Sequence, residues 1–482
     1  MQELEEIGIW WIPSNPDIQV SGLLKFSSST GIQLELIGSL QEHRAVDFSD
    51  TCPIILGVTQ GKLITLFENK GVHSRSSSPG FKSEKYTVKI AFVGAHFSSL
   101  DEVKFHRAAV EYSYLSDWAN LPVIKRKKEI EEDNYNIQEF NFSYTHPKSV
   151  QGNTNQGILS LVYTWQDAGQ PFQIDFSQSA TFEIKSQERF SFEEWMAKLI
   201  FPLQNFITLA TDRPNSVTRV LVFSHYGTRA TDDNSQFTKQ DIPIEVVYRS
   251  VYTEIRQDSQ LLPDDLLFGL KDIKETFGDT MSRWLAIADE LDSVCNLFFS
   301  TRYSQKMYQE NHFLNIVQAA ESYHRRRRFN RVLSKVEHEE RISRIIDNAL
   351  EEDKEWLKQK LAFSNEPSLK ERLIDLGQET KEITSPLITD EDSFIKQVRD
   401  NRNYLTHYDK SLRKKAVKGE NLYWLTYTLE VLLQTCFLKE LGFSSEQCVA
   451  LFERNERYQF AVQRTEGETS IQAGDAGIAV AI

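Results

Sequence analysis

The sequence predicts an α+β protein: an N-terminal antiparallel β-rich domain followed by a C-terminal all-α helical bundle. Three observations carry this. Apolar residues alternate with period 2 through roughly the first 260 positions. Within LLPDDLLFGLKDIKETFGD (261–280) the period changes to 3.6 and stays there to about residue 455. At 482 residues the chain also exceeds one ordinary core of roughly 100–200 residues. The expected divisions are a β-rich domain over 1–265, a helical domain over 281–455 and a mobile tail over 456–482.

Ile18, Val20, Leu24 and Phe26 lead into the polar turn SSSTG (27–31), and Ile32, Leu34 and Leu36 alternate with Gln33 and Glu35 beyond it, which predicts a hairpin. Tyr86, Val88, Ile90 and Phe92 alternate in KYTVKIAFVGAHF behind SSSPG (76–80). RVLVFSHY (219–226) and IEVVYRS (244–250) are compact β-branched runs. Short strands of this kind predict a sandwich or barrel. One helix interrupts them. Ser191 and Glu194 form a capping box ahead of Trp195, Leu199, Leu203 and Phe206, with Pro202 expected to kink the helix as it packs across the sheet. Trp10 and Trp11 read as core or domain-interface residues.

Past the change of period, helices are expected near 281–302, 307–328, 336–362, 367–377, 391–406 and 420–441, then a short one capped by Ser444 and Gln447. Leu422, Leu425, Leu429, Leu432 and Cys436 recur three and four residues apart, along one buried face. The stretch after Arg454 is rich in Gly, Ser, Thr and Ala and offers little to pack.

Composition narrows the function. With 40% hydrophobic, 26% charged and 11% aromatic residues, the chain has the makeup of a folded protein. Cys52, Cys295, Cys436 and Cys448 form no CxxC pair, so a zinc ribbon or disulfide framework is not expected and a reducing cytoplasm is. The start is acidic where a signal peptide is basic, and no run approaches the roughly 18 apolar residues of a membrane span. A net charge of -14 argues against non-specific coating of nucleic acid, so any RNA binds locally. HExxH, Walker, GxSxG and strand-to-helix GxGxxG motifs are missing, which removes metalloprotease, NTPase, α/β-hydrolase and dinucleotide readings. Neither a metal nor an organic cofactor is expected. The acids of TDED (389–392) are explained by the preference of helix N-termini for negative charge.

RDNRNYLTHYDK (399–410) closes a helical stripe carrying Phe394, Val398 and Leu405, with Thr389 or Asp390 as its cap. Arg402 sits one turn beyond Val398, at the buried margin, where a guanidinium needs an anionic receiver. A phosphate suits its fork, and a nearby His titrates near cytosolic pH. Such a pair can cut RNA without a metal: His407 moves the 2'-OH or leaving-group proton while Arg402 stabilises charge on phosphorus. Five residues advance an α-helix by about 500°, which leaves the two about 140° apart if both are helical. Convergence therefore requires the helix to end between them. Two other Arg/His pairs have similar spacing, Arg219 with His225 and Arg331 with His338, but neither Arg is followed by a polar residue or ends a helical stripe. Arg402 is followed by Asn403.

RNYLTH (402–407) resembles the R-polar-x3-H form of the HEPN ribonuclease motif, and LNIVQAAESYHRRRR (314–328) resembles an earlier helix of the HEPN domain of ApeA-like proteins. GIWWIP (8–13), VSGLLKF (20–26), LELIGSL (34–40) and ILGVTQGKLITLF (55–67) are similar to the ApeA N-terminal domain. The resemblance implies a HEPN-like bundle in an abortive-infection nuclease of bacterial anti-phage defence, held in check by the β-rich sensing or regulatory domain until a phage-derived trigger arrives. It further implies a homodimer or higher homo-oligomer that cuts RNA, tRNA among the candidates, and leaves a 2',3'-cyclic phosphate. Arg402, His407 and Asn403 carry over as catalytic residues, with Glu321 and Arg325 as supporting ones.

Simpler readings stand beside these. Arg402 could pair with Asp400, Asp392 or a carboxylate of another helix, and His407 could cap the last carbonyls. Glu321 and Arg325 at i,i+4 suit a surface ion pair. Arg326, Arg327, Arg328 and Arg331 of RRRRFNR could track RNA with Phe329 stacking on a base, or form a solvated helix end. The alternative function is a non-catalytic HEPN-like dimerisation or interaction protein whose β domain binds a protein or ligand.

Overall fold

The computed structural model describes residues 3–40, 51–76, 80–120, 123–130, 137–170, 175–224, 242–250, 260–304 and 306–479. The chain divides into two compact units, Met1–Leu285 and Ala286–Ile482.

In the first unit β1 (Leu4–Ile12), β2 (Asn15–Ser27), β3 (Gly31–Ile37), β4 (Thr51–Thr59), β5 (Lys62–Ser76) and β6 (Lys82–Val93) pair antiparallel in the order β6-β3-β2-β1-β4-β5. β5 pairs back onto β6, which closes a barrel. The expected hairpin is β2–β3: Phe26 faces Ile32 and Leu24 faces Leu34. Gly31 ends the turn at φ 76, a left-handed conformation that glycine adopts without steric cost.

Trp10, Leu24, Leu34, Ile55, Ile64 and Leu66 are fully buried in the barrel core. The Trp10 indole N–H donates to the Gly22 carbonyl, and its ring lies over Gly57, where an added Cβ would sit 2.1 Å from Cε3. Gly57→Ala is therefore expected to destabilise the protein by about 1–3 kcal/mol through overpacking, measured by urea unfolding. Trp11 is half-buried and meets the His96 ring edge-on at 5.3 Å.

β6 pairs with two strands in succession along one edge. Ser83–Val88 pair with β3, and Ile90–Val93 pair with a strand from much later in the chain. That later part comprises β7 (Phe105–Tyr112), β8 (Ile124–Ile130), β9 (Ile137–Tyr144), β10 (Val150–Thr154), β11 (Gly157–Asp167), β12 (Phe176–Phe190), β13 (Val217–Ser224) and β14 (Ile242–Tyr248). From β6 the sheet continues β14-β13-β7-β12-β11-β10, while β8 and β9 pair with each other. The charge run at 124–133 thus begins as a strand, and its last three residues lie outside the described residues.

Helices α1 (Leu115–Ala119), α2 (Phe192–Trp195) and α3 (Phe201–Thr211) pack on this sheet, with a π turn, Met196–Ile200, joining α2 to α3. The Ser191/Glu194 capping box forms. The π turn accommodates Pro202, which lacks an amide donor and crowds the preceding turn. Trp195 Nε1 donates to Phe105 O and the Tyr112 hydroxyl to Ile200 O, which seats the helix on β7.

Next come α4 (Leu270–Ile273) and α5 (Phe277–Glu290). Trp284 of α5 donates to Pro202 O at 2.7 Å and its ring meets Phe206. The first helical turns after the change of period therefore pack on α3 and belong to the strand-bearing unit.

The second unit holds α6 (Asp292–Tyr303), α7 (Gln309–Arg327), α8 (Lys335–Asp347), α9 (Glu351–Leu361), α10 (Leu369–Thr384), α11 (Glu391–His407), α12 (Glu420–Leu441), α13 (Ser445–Arg454) and α14 (Glu456–Ala479). Two expected helices are each broken in two. The 281–302 segment turns at Leu291, a buried residue that leaves the apolar period uninterrupted. The 336–362 segment stops at Asn348, whose side-chain amide donates to the Arg344 carbonyl and competes with the helix ladder.

α12 is covered on nearly all sides by α7, α10 and α13, so Thr426, Glu430, Gln434 and Thr435 are buried as well as the expected leucine face. The stretch after Arg454 is not without packing. Tyr458 and Ala461 of α14 are buried, and the Tyr458 hydroxyl donates to Ile383 O at 2.7 Å. Among the described residues no helix is long and apolar enough to cross a membrane.

Candidate functional site

α11 buries Ile395, Val398, Asp400, Asn401 and Leu405 and ends on Tyr408, which adopts a left-handed conformation (φ 52, ψ 34) and donates its N–H to Tyr404 O. The helix does not end between Arg402 and His407 as convergence required; both are helical. They therefore point about 140° apart and lie about 7.5 Å apart along the axis. The local reason is the ladder itself: the last backbone bond closes only at Tyr408, and the Thr406 hydroxyl also folds back onto Arg402 O at 2.7 Å.

Arg402 lies at the buried margin with 37% of its side chain exposed. Its guanidinium sits 3.8 Å from Glu321 of α7 and donates to Asn403 Oδ1 at 3.3 Å. Asn403 thus orients Arg402, and the anionic receiver is a carboxylate on another helix. Asp400 is engaged by Arg399, at 2.9 Å. His407 is exposed and makes no hydrogen bond with a described residue. Next to it, hydrogen bonds from the Ser411 backbone and side chain, with the charge of His407 added, hold the Asp409 carboxyl below its ordinary range.

Glu321 and Arg325 do not pair with each other: Arg325 binds Glu366 at 2.8 Å. Beside them stands Arg372 of α10, a residue the sequence reading missed. It is buried, donates to His324 Nδ1 at 3.1 Å and to Asn330 Oδ1 at 2.6 Å, and lies 3.7 Å from Glu366. Because Arg372 can only donate, His324 Nδ1 accepts and its proton sits on Nε2, facing Asp375 at 3.0 Å. Burial first, and then the charge of Arg325, lower the pKa of Arg372, against the pull of Glu321 and Glu366. The result is a row of three arginines, 325, 372 and 402, interleaved with two glutamates.

The arginine run is largely committed inside the bundle. Arg326 pairs with Asp292, Arg327 with Glu290 and Glu440, and Arg328 with Glu379. Arg331 and Phe329 are exposed. A second set of cations belongs to no motif. Lys410, Arg413, Lys414, Lys415 and Lys418 follow His407 directly, are exposed, and form no ion pair with a described residue. Their signal was there: five cations in nine residues of a chain with net charge -14.

A pocket of about 400 Å³ opens where the start of α7 meets the end of α11, lined by Tyr308, Glu310, Asn311, Tyr404, Tyr408 and Lys418 among others. A larger one, about 480 Å³, lies against the first half of α11, away from Arg402 and His407. Of the other spaced pairs, Arg219 meets Glu111 and its His225 lies outside the described residues, while His338 contacts Ser364. Among the described residues no group of three or more His, Cys, Asp or Glu is placed to hold a metal ion.

The ApeA N-terminal domain 1 family matches residues 5–284, ending where the first compact unit ends, and the Apea-like HEPN family matches residues 314–447, which include most of α7 and all of α10, α11 and α12. No curated protein and no solved structure matches the chain. HEPN domains are generally ribonucleases. With more than half of its 482 residues matched by the first of these families, and RNYLTH inside the match to the second, the chain belongs to the ApeA-like HEPN proteins.

Proposed function

We propose that the protein is a metal-independent endoribonuclease of anti-phage abortive infection, acting on cellular RNA, with tRNA a candidate target. The observation that carries this reading is an exposed His407, without a hydrogen bond to a described residue, at the end of the HEPN helix that bears Arg402, followed by five exposed cations that form no ion pair with a described residue. His407 is the proton-transfer group and Arg402, oriented by Asn403, the phosphate clamp. Since the two diverge on α11, one phosphodiester cannot lie against both from a single helix. A second copy supplies the missing partner, so that Arg402 of one chain and His407 of the other flank the same phosphate across a two-fold axis. The β-rich unit is the sensing element that releases the nuclease on a phage-derived trigger.

The 3.8 Å Arg402–Glu321 ion pair favours a second reading, a non-catalytic dimerisation module in which Arg402 is structural. The contact is loose and partly exposed, so a phosphate can replace the carboxylate. Incubating purified protein with RNA in excess chelator distinguishes the two. Cleavage with 2',3'-cyclic phosphate ends is expected, and intact RNA with both wild-type and triggered protein would overturn the nuclease reading.

A further inference from the structure

We propose that the pocket between the start of α7 and the end of α11, with the basic loop 409–419 beside it, holds a nucleobase and flanking phosphates of single-stranded RNA next to the scissile bond. The proposal rests on the ribonuclease reading above and identifies how the substrate is gripped and which form of RNA is taken.

Charge comes first. In a chain of net charge -14, most bundle arginines are neutralised by acids, yet Lys410, Arg413, Lys414, Lys415 and Lys418 stand exposed without an ion pair to a described residue. Such a local cluster neutralises backbone phosphates, and a phosphate chain running through the cleft would offset the mutual repulsion of the loops of two copies.

Aromatic surface comes second. Tyr308 and Tyr408 are 78% and 68% exposed, the Tyr404 and Tyr408 rings meet edge-on at 5.7 Å, and Lys418 lies over the Tyr404 ring. Flat rings open to solvent are platforms on which unpaired bases stack.

The backbone supplies a third observation. α12 ends on Gly442 in the left-handed region, the usual residue for that position, whereas α11 ends there on Tyr408. A tyrosine held where glycine fits better keeps a ring at the mouth of the pocket, one residue from His407. Glu310 and Asn311 bring a carboxylate and an amide to the pocket, groups able to read base edges. A base paired within a duplex cannot enter, so the site selects single strands.

The test uses full-length His407→Ala protein and a roughly 12-nucleotide fluorescent RNA, single-stranded or in a duplex. Tyr408→Gly in that background should keep or raise the thermal midpoint, because glycine relieves the backbone, while weakening single-strand binding by about 5- to 100-fold. Lys414→Ala with Lys415→Ala should lower the slope of log affinity against log salt by about 1 to 1.5. Equal affinity and slope in all variants, with wild-type protein still cutting RNA, would overturn the pocket alone. No RNA bound at low salt, with no cleavage by wild type, would overturn the pocket together with the nuclease reading. A change in subunit number in the loop variant with RNA affinity intact would make this face a self-association surface and overturn the proposal.

Discussion

Replacing His407 with alanine is expected to slow RNA cleavage by about 10²–10⁴-fold, the usual worth of a positioned proton-transfer group. Stability should change by no more than about 0.5 kcal/mol, because the ring is exposed and makes no hydrogen bond with a described residue. Arg402→Ala should cost about 10²–10³-fold, and Arg402→Lys should recover little of it, since an ammonium retains the charge but not the two-pronged fork. The divergence of the two side chains on α11 adds a sharper expectation. If each site takes its arginine from one subunit and its histidine from the other, unfolding and reassembling Arg402→Ala with His407→Ala protein gives hybrid dimers with one intact site. Random pairing then restores about a quarter of wild-type activity. Recovery near zero would mean that both groups act within one chain. Full activity in either single variant would remove the nuclease reading altogether.

How much of this could be read beforehand follows from what a period encodes. Alternation at Ile32, Leu34 and Leu36 and in the Tyr86–Phe92 stretch marked β3 and β6 because every second side chain is buried, Tyr86 and Val88 in the barrel core and Phe92 against Phe97, Phe105 and Phe192. Closure of that barrel was not legible, since it depends on β6 pairing with β5 on one edge and with both β3 and β14 on the other. The change of period at 261–280 marked the end of the strands, but α4 and most of α5 still belong to the strand-bearing unit, with Gly278 against Gly152 of β10 and Trp284 hydrogen-bonded to Pro202 of α3. A period reports the type of an element and not its packing partner. Around the site, Arg402, Asn403 and His407 were found by motif, whereas Arg372 reaches its neighbours only through the tertiary fold, with His324 48 residues away. The basic loop was passed over because Ser411, Leu412, Ala416 and Val417 break its charges into short groups.

Glu430→Gln is expected to destabilise the protein by about 3–5 kcal/mol, the cost of removing one partner from a buried ion pair. Glu430 is buried on α12, with Arg302 of α6 at 3.2 Å, His312 of α7 at 2.6 Å and Arg457 of α14 at 3.6 Å. Burial alone would raise its pKa. The Arg302 charge, the His312 hydrogen bond and the Arg457 charge together outweigh that and hold it at about 2. The amide keeps the shape but removes the carboxylate charge that faces the Arg302 guanidinium, of whose side chain only 10% is exposed. Because the folded carboxyl titrates below its ordinary value of 4.5, its contribution is complete above that pH and is lost as pH falls from about 4.5 to about 2. Urea unfolding of wild type should therefore weaken across that interval, and the Glu430→Gln profile should be flatter. Glu430→Leu combined with Arg302→Met should recover most of the loss, since removing both charges leaves neither buried alone. A loss under about 1 kcal/mol in Glu430→Gln would show that the carboxylate is not what ties α6, α7 and α14 to the central helix. That tie also bears on the site, because α7 carries both Glu321, beside Arg402, and Glu310 and Asn311, in the pocket next to His407.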